Sequence, residues 1–388
     1  MVVNPYEKTN TIIIFDHLIL IPAWEAVSIT GATSHVTHGQ VLKSMIKEAG
    51  YILPPLVGSV VYVGSSDHTL YALDARTGTK IWNYTTKDVV ESCPAVANGI
   101  VYIGSWDHNL YALNATTGKK IWNYTTGDTV HCSPIASKSV VYVGSEDKNV
   151  YALNATTGTK MWNYTTGGPV VSSPTIANGI VYIGSNDHNV YALNAITGTK
   201  VWSYTTGGFV ESSPTVANGI VYIGSWDHNV YALNAETGVK AWSYETGNVI
   251  LSPTVANGIV YIGGMDHNVY ALDARTGAKI WSYTTGDVVH SSPTVANGIV
   301  YFGSADHNVY ALDARTGTKA WSYLTKNEVW SSPAVADGIV YVGSDDGNVY
   351  ALDATSGTKV WNYTTKGPVW SSPTVANGIV NGTNMRLG

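Results

Sequence analysis

From residue 51 onward, short apolar runs rich in β-branched residues alternate with polar turn clusters, and the alternation repeats. Residues 212–247 serve as one unit. Ser212-Ser213-Pro214-Thr215-Val216-Ala217 reads as a short strand, and Asn218-Gly219 is a strong two-residue hairpin signal. Ile220-Val221-Tyr222-Ile223-Gly224-Ser225 reads as a second strand, closed by the polar turn Asp227-His228-Asn229. Residues 230–235 read as a third strand, Glu236-Thr237-Gly238 as a turn, and residues 240–244 as a fourth. The unit is a four-stranded antiparallel meander. Its two middle strands are apolar on both faces, which suits a sheet held between two others rather than one facing water.

A tryptophan ends each unit. Trp82, Trp122, Trp162, Trp202, Trp242, Trp281, Trp321 and Trp361 lie 40 residues apart, save one step of 39 between Trp242 and Trp281. A fixed period of this length marks a repeat architecture whose units bury their faces only against each other. Burying a tryptophan removes about 150–250 Å² from water, roughly 4–6 kcal/mol gross at about 25 cal/mol/Å². The eight tryptophans are therefore expected as wedges between units. Their setting, Ala72-Leu73-Asp74-Ala75-Arg76-Thr77-Gly78-Thr79-Lys80-Ile81-Trp82 and its seven copies, resembles the tryptophan-docking motif of the PQQ-like (quinoprotein) propeller family. The resemblance spans residues 51–380 and implies an all-β, eight-bladed β-propeller with blades docked through tryptophan. Members of that family range from quinone-dependent dehydrogenases to non-enzymatic relatives, among them the outer-membrane-assembly lipoprotein and repetitive surface proteins of archaea.

Two segments compete for the innermost strand of the first blade. Residues 52–57 keep the register but lose the serines, whereas residues 371–376 form a complete copy after the last tryptophan. The C-terminal copy is the favoured one, because a blade built from three N-terminal strands and one C-terminal strand removes the exposed edges. Residues 1–50 share nothing with the repeats; a strand is expected near 11–15 and a short helix over 40–49, stopped by Gly50. The organisation expected is a leader at 1–50, the propeller at 51–380 and a tail at 381–388.

Composition narrows the partners. Charged residues make up 12% of the chain, the net charge is -6, and no lysine or arginine cluster is present. A nucleic-acid or anionic-membrane partner is not expected. The apolar run at 11–24 is broken by Asp16 and His17 and is too short to span a bilayer, so no membrane insertion is expected. Asn-x-Thr sequons at Asn83, Asn114, Asn123, Asn154, Asn163, Asn362 and Asn381 favour an extracellular or cell-surface address over a cytoplasmic one. Cys93 and Cys132 replace serines in neighbouring repeats and are too few for a disulfide framework or a thiolate metal site.

Candidate chemistry lies where the copies disagree. Just before each Ser-Ser-Pro the chain reads Glu91, His131, Val171, Glu211, Leu251, His290, Trp330 and Trp370. Just before the Asp-His turn it reads Ser66, Trp106, Glu146, Asn186, Trp226, Met265, Ala305 and Asp345. In an antiparallel meander both loops emerge on one side, so the variation falls on one face of the disk. Solvent-facing drift seldom installs tryptophan, and aromatic anchors are enriched at interfaces. The candidate ligand-binding set is Trp330, Trp370, Glu91, His131, Glu211, His290, Trp106 and Trp226, at a channel mouth suited to a protein, peptide or carbohydrate. The recurring Asp-His pair, as in Asp67-His68 and Asp227-His228, is expected to cap a turn, since copies spread around a disk do not converge on one metal ion. Quinone-dependent relatives carry a vicinal cysteine pair and a calcium with a catalytic aspartate. Cys93 and Cys132 are not vicinal and no unique aspartate breaks the repeat, so neither cofactor nor metal is expected. The reading is a non-enzymatic binding propeller, with an assembly scaffold or a quinone-dependent dehydrogenase as alternatives.

Overall fold

The computed structural model describes residues 58–248 and 251–376. All regular structure there is β-strand, in eight sheets of four antiparallel strands that form an eight-bladed propeller. The leader at 1–50 with its expected strand and helix, the competing strand at 52–57 and the tail at 381–388 lie outside the described residues.

Blade 5 runs from its innermost strand, Thr215–Ala217, through Ile220–Gly224 and Asn229–Asn234 to the outer strand Lys240–Glu245. The innermost strand is shorter than the sequence pattern suggests, because the residues before it bond elsewhere. Ser212 Oγ accepts from Gly224 N at 3.0 Å, Ser213 N donates to Ser252 Oγ of the next blade at 2.8 Å, and Pro214 has no N–H to offer. The two middle strands are buried apart from their end residues, as a sheet between sheets requires.

Each repeat tryptophan docks on the next blade. Trp202 Nε1 donates to Ala235 O at 2.9 Å, and Tyr182 Oη donates to the same carbonyl at 2.9 Å. The Trp202 ring covers Gly238, whose backbone is left-handed at φ 72° and where a Cβ would sit 2.8 Å from the ring. Glycine is required there twice over, for the backbone and for the contact. The clasp recurs to the end of the ring, where Trp361 Nε1 donates to Ala75 O at 2.9 Å.

Closure follows the C-terminal copy. Thr374–Ala376 pairs antiparallel with Val60–Gly64, matching Val60 with Ala376 and Tyr62 with Thr374, and the blade continues through Thr69–Asp74 and Lys80–Thr85.

The Asp-His turns are structural fasteners. Asp227 Oδ1 accepts from Asn229 N at 3.1 Å, while Oδ2 takes Tyr231 Oη at 2.7 Å and Gly207 N of the preceding loop at 2.6 Å. His228 occupies the left-handed position of this turn at φ 69°, a place held by Lys148 at 71° and Gly347 at 78° in other blades.

The 39-residue step shifts one candidate position. Ser172 Oγ donates to Ser212 O at 2.9 Å, and the counterpart in the next pair of blades is Ser212 Oγ to Leu251 O at 3.2 Å. Leu251 thus takes the register of the first serine, one place deeper than the variable column expected from the sequence. The missing residue in that loop is the cause.

Candidate functional site

In each of several blades the loop entering the innermost strand is tied to the turn between the second and third strands. Trp106 N donates to Val89 O at 3.0 Å, Trp226 N to Phe209 O at 2.9 Å and Asp345 N to Glu328 O at 2.9 Å. These bonds bring both variable columns to one face. Blade order around the ring runs from His290 to Trp330, Trp370, Glu91 and His131.

An aromatic stack occupies the junction of blades 7, 8 and 1. The rings of His290 and Trp330 lie 4.3 Å apart and 16° from parallel; those of Trp330 and Trp370 lie 6.5 Å apart at 28°. Trp330 is 39% exposed, and its Nε1 donates to Glu328 Oε2 at 2.5 Å. Trp370 Nε1 and Asp345 Oδ1 are buried atoms without a hydrogen-bond partner. Burial raises the Asp345 carboxyl above the usual carboxylate range, and the charges of Glu328 and Asp346 push the same way; the nearby Trp370 N–H opposes the shift without completing a bond to it. Burial lowers His290 below the ordinary imidazole value, outweighing Glu328 and Asp287. A cleft of about 260 Å³ opens beside this stack, lined by Asp345, Asp346, Gly347, Thr365, Lys366, Gly367 and Pro368. It adjoins the position where Gly347 replaces the histidine of most other blades.

The next arc is polar. His131 bridges two carboxylates, with Nδ1 3.2 Å from Glu91 Oε2 and Nε2 3.1 Å from Glu146 Oε1. Burial alone would depress its basicity, but the hydrogen bond to Glu91 and the charges of Glu91, Glu146 and Glu211 raise it above the ordinary value. Trp106 tilts onto His131 with centroids 4.8 Å apart, and its Nε1 is buried without a partner. Glu211 Oε1 accepts from Asn186 Nδ2 at 3.0 Å.

The sequence-derived set is thereby divided. His290, Trp330 and Trp370 form one stack; Glu91, His131 and Trp106 form a second group. Trp226 packs instead on Phe209, at 5.7 Å between centroids. Three residues beyond the set join these groups, Glu146, Glu328 and Asp345, while Phe209 partners Trp226 and Asn186 partners Glu211. Phe209 and Glu328 stand in a further variable column two residues before the first, shared with Val89, Thr129, Pro169, Val288 and Pro368, and that column is the signal that marks them. A larger cleft, about 570 Å³, lies toward the rim between blades 1 and 2, where Tyr84, Lys87, Asp107, Lys120 and Asn123 line it. Among the described residues no His, Cys, Asp and Glu side chains gather in a group that could hold a metal ion. Cys93 and Cys132 are free thiols; Cys132 is bonded through Sγ to Gly144 of its own blade, and Cys93 Sγ accepts from Ser372 N. No described helix is long and apolar enough to cross a membrane.

The family whose pattern matches the chain, over residues 24–172, 130–208, 168–254, 248–332 and 326–385, is described as outer membrane protein assembly factor BamB. Among solved structures, BamB from Moraxella catarrhalis is similar at 21% identity over 79% of this chain and 94% of its own, with a TM-score of 0.65. A quinohemoprotein alcohol dehydrogenase from Comamonas testosteroni is similar at 17% identity, over 73% of this chain and 68% of its own, with a TM-score of 0.62. The computationally designed Ika8 protein is similar at 19% identity over 72% and 89%, with a TM-score of 0.66. At these identities the likeness is one of fold. No functionally curated protein matches the chain in sequence.

Proposed function

Because the chain belongs to the PQQ-like propeller family described as outer membrane protein assembly factor BamB, we propose that it is a non-enzymatic binding propeller. It takes hold of a protein partner at the channel mouth of its variable face, outside the cell or at its surface. The observation that carries this reading is the His290–Trp330–Trp370 stack, with its exposed indole face and two buried polar atoms left unpaired beside it. An unpaired buried donor or acceptor costs about 1–3 kcal/mol, so a shift of the Trp370 or Asp345 side chain on binding would bring unused polar capacity into play.

The chemistry suits an arginine side chain on an extended peptide. A guanidinium stacks on indole and donates in a planar fork. Glu328 supplies an acceptor at the edge of the stack, with the Asp345 carboxyl and the Trp370 N–H buried behind it. The acids Glu91, Glu146 and Glu211 extend the negative arc, with Lys326 and Lys366 in the loops leaving the outer strands. The scaffold alternative has the family assignment in its favour, and it too works through protein contacts.

Isothermal titration with arginine-containing peptides, beside lysine and citrulline versions and a panel of oligosaccharides, tests the reading. Arginine peptides are expected to bind, and the Trp330→Ala, Trp370→Ala double variant to lose that binding while still folded. Preference for an oligosaccharide, or binding unchanged in the double variant, would sink it.

A further inference from the structure

The outer strands of the eight blades are chemically split into two halves. The outer strands of blades 1, 2, 3 and 8 contain Asn-Tyr-Thr at Asn83, Asn123, Asn163 and Asn362; blades 4 to 7 have Ser203, Ser243, Ser282 and Ser322 at the same place. Asn114 and Asn154, the remaining described sequon asparagines, also fall in blades 2 and 3. We propose that the four outer-strand asparagines are N-glycosylation sites, so that glycans cover one contiguous half of the rim and leave the other half bare.

The local geometry suits an acceptor. Strand alternation puts asparagine and the threonine two residues on along the same side, with the tyrosine between them turned toward the next blade. In all four strands both asparagine and threonine are exposed while the intervening tyrosine is partly buried. Asn123 Nδ2 and Thr125 Oγ1 converge on one acceptor, Asn109 Oδ1, at 3.0 and 2.7 Å; Asn163 with Thr165, and Asn362 with Thr364, do the same on Asn149 and Asn348. One amide hydrogen of each asparagine remains available. Asn114 differs: its Oδ1 is taken by Thr116 N, Thr117 N and Thr117 Oγ1 in a closed turn, and it is left out of the proposal together with Asn154.

The modification joins Nδ2 to the anomeric carbon of a polyisoprenyl-phosphate-linked oligosaccharide. The bond from that carbon to the phosphate oxygen breaks, the lipid phosphate leaves with the electron pair, and one amide proton passes to base. The co-reactant is the lipid-linked sugar, supplied by the cell's own transferase.

The bare half has its own surface chemistry. Among the described residues the most exposed large apolar side chains are Ile196 at 81%, Leu324 at 67% and Val239 at 65%, in blades 4, 7 and 5. Ile196 and Leu324 are single departures from repeat positions that are otherwise polar, where Thr116, Thr156 and Arg76 answer Ile196 and Thr85 and Thr125 answer Leu324; Val239 shares its departure with Ala278. Ile196, Leu324 and Val239 lie in the bare half, while the apolar column of Ile81, Ile121, Met161 and Val360 is exposed beside the sequons themselves. An outer strand also presents an unpaired backbone edge, which a bulky hydrophilic group blunts.

This inference stands apart from the channel mouth, and its test reads neither ligand nor binding. Peptide mass spectrometry of the full chain recovered from its native cells is expected to find a whole-glycan mass on the peptides bearing Asn83, Asn123, Asn163 and Asn362. Thr125→Ala is expected to strip the glycan from Asn123 alone, and Thr125→Ser to retain it. Unmodified mass at the four asparagines overturns the proposal; so does an added mass on Asn123 that survives Thr125→Ala.

Discussion

The two faces of the disk are made from the same repeat and have different liberties. On the uniform face, turns such as Asn218-Gly219 hold left-handed backbone at φ 49° and 76°, and Ala235 O takes both a tyrosine and a tryptophan from the preceding blade. A change there disturbs a blade junction. On the variable face the backbone is fixed by bonds such as Trp106 N to Val89 O, so the side chains above it differ from blade to blade without cost to the frame. A rigid scaffold with one unconstrained surface is where recognition is carried.

The comparison breaks most readily on tryptophan. Trp202→Ala, at a blade junction, is expected to cost about 3–5 kcal/mol in denaturant unfolding. Trp330→Ala, at the mouth, is expected to stay within about 1 kcal/mol. Equal losses would make the mouth part of the frame and remove the ground for calling it a binding surface.

Two glycines sharpen it further. Gly198 has φ 72°, and a Cβ there meets the Trp162 ring at 2.7 Å; Gly219 has φ 76° with nothing within 4 Å. Alanine at either pays about 1–2 kcal/mol for left-handed backbone. Gly198→Ala adds roughly 1–3 kcal/mol of overpacking, so its midpoint should fall well below that of Gly219→Ala. Coincident midpoints would mean that the tryptophan clasp yields.

A smaller effect separates two histidines of the mouth. His131 is raised by its carboxylates, so its charged form stabilises the fold below the ordinary imidazole value of about 6.5, and this contribution fades as pH rises through the higher folded value. The gap between the parent and His131→Gln is therefore expected to be greatest near pH 6, roughly 1 kcal/mol, and to shrink toward pH 9. His290 is lowered, so its cost appears as pH falls below the ordinary value. Proton NMR titration should place the two on opposite sides of 6.5; the same midpoint for both would contradict the structure.

Gly347→His restores the residue of most other blades, but at φ 78° and with a Cβ 3.3 Å from Gly367 O it carries the same left-handed cost of about 1–2 kcal/mol, while arginine-peptide binding weakens as the neighbouring cleft fills. Unchanged binding would detach the cleft from the site.

Blades and turns were legible because each is written eight times, and the surplus inner strand at 371–376 pointed to the closure seen between Thr374–Ala376 and Val60–Gly64. The mouth was legible only as two variable columns. Which members meet depends on side-chain reach across blades: His131 reaches both Glu91 and Glu146, whereas Trp226 turns to Phe209, which repeat alignment alone does not reveal. Leu251 was misplaced because a single deletion moves the register without altering the hydrophobic pattern.

The pairing of Val60 with Ala376 has a consequence in time. At ribosomal rates of about 5–20 residues per second, the stretch between them takes roughly 15–60 s to synthesise. Throughout that interval the inner edge of the first blade waits for its own final strand. The first blade, and with it the ring, is therefore completed only once residue 376 has been made.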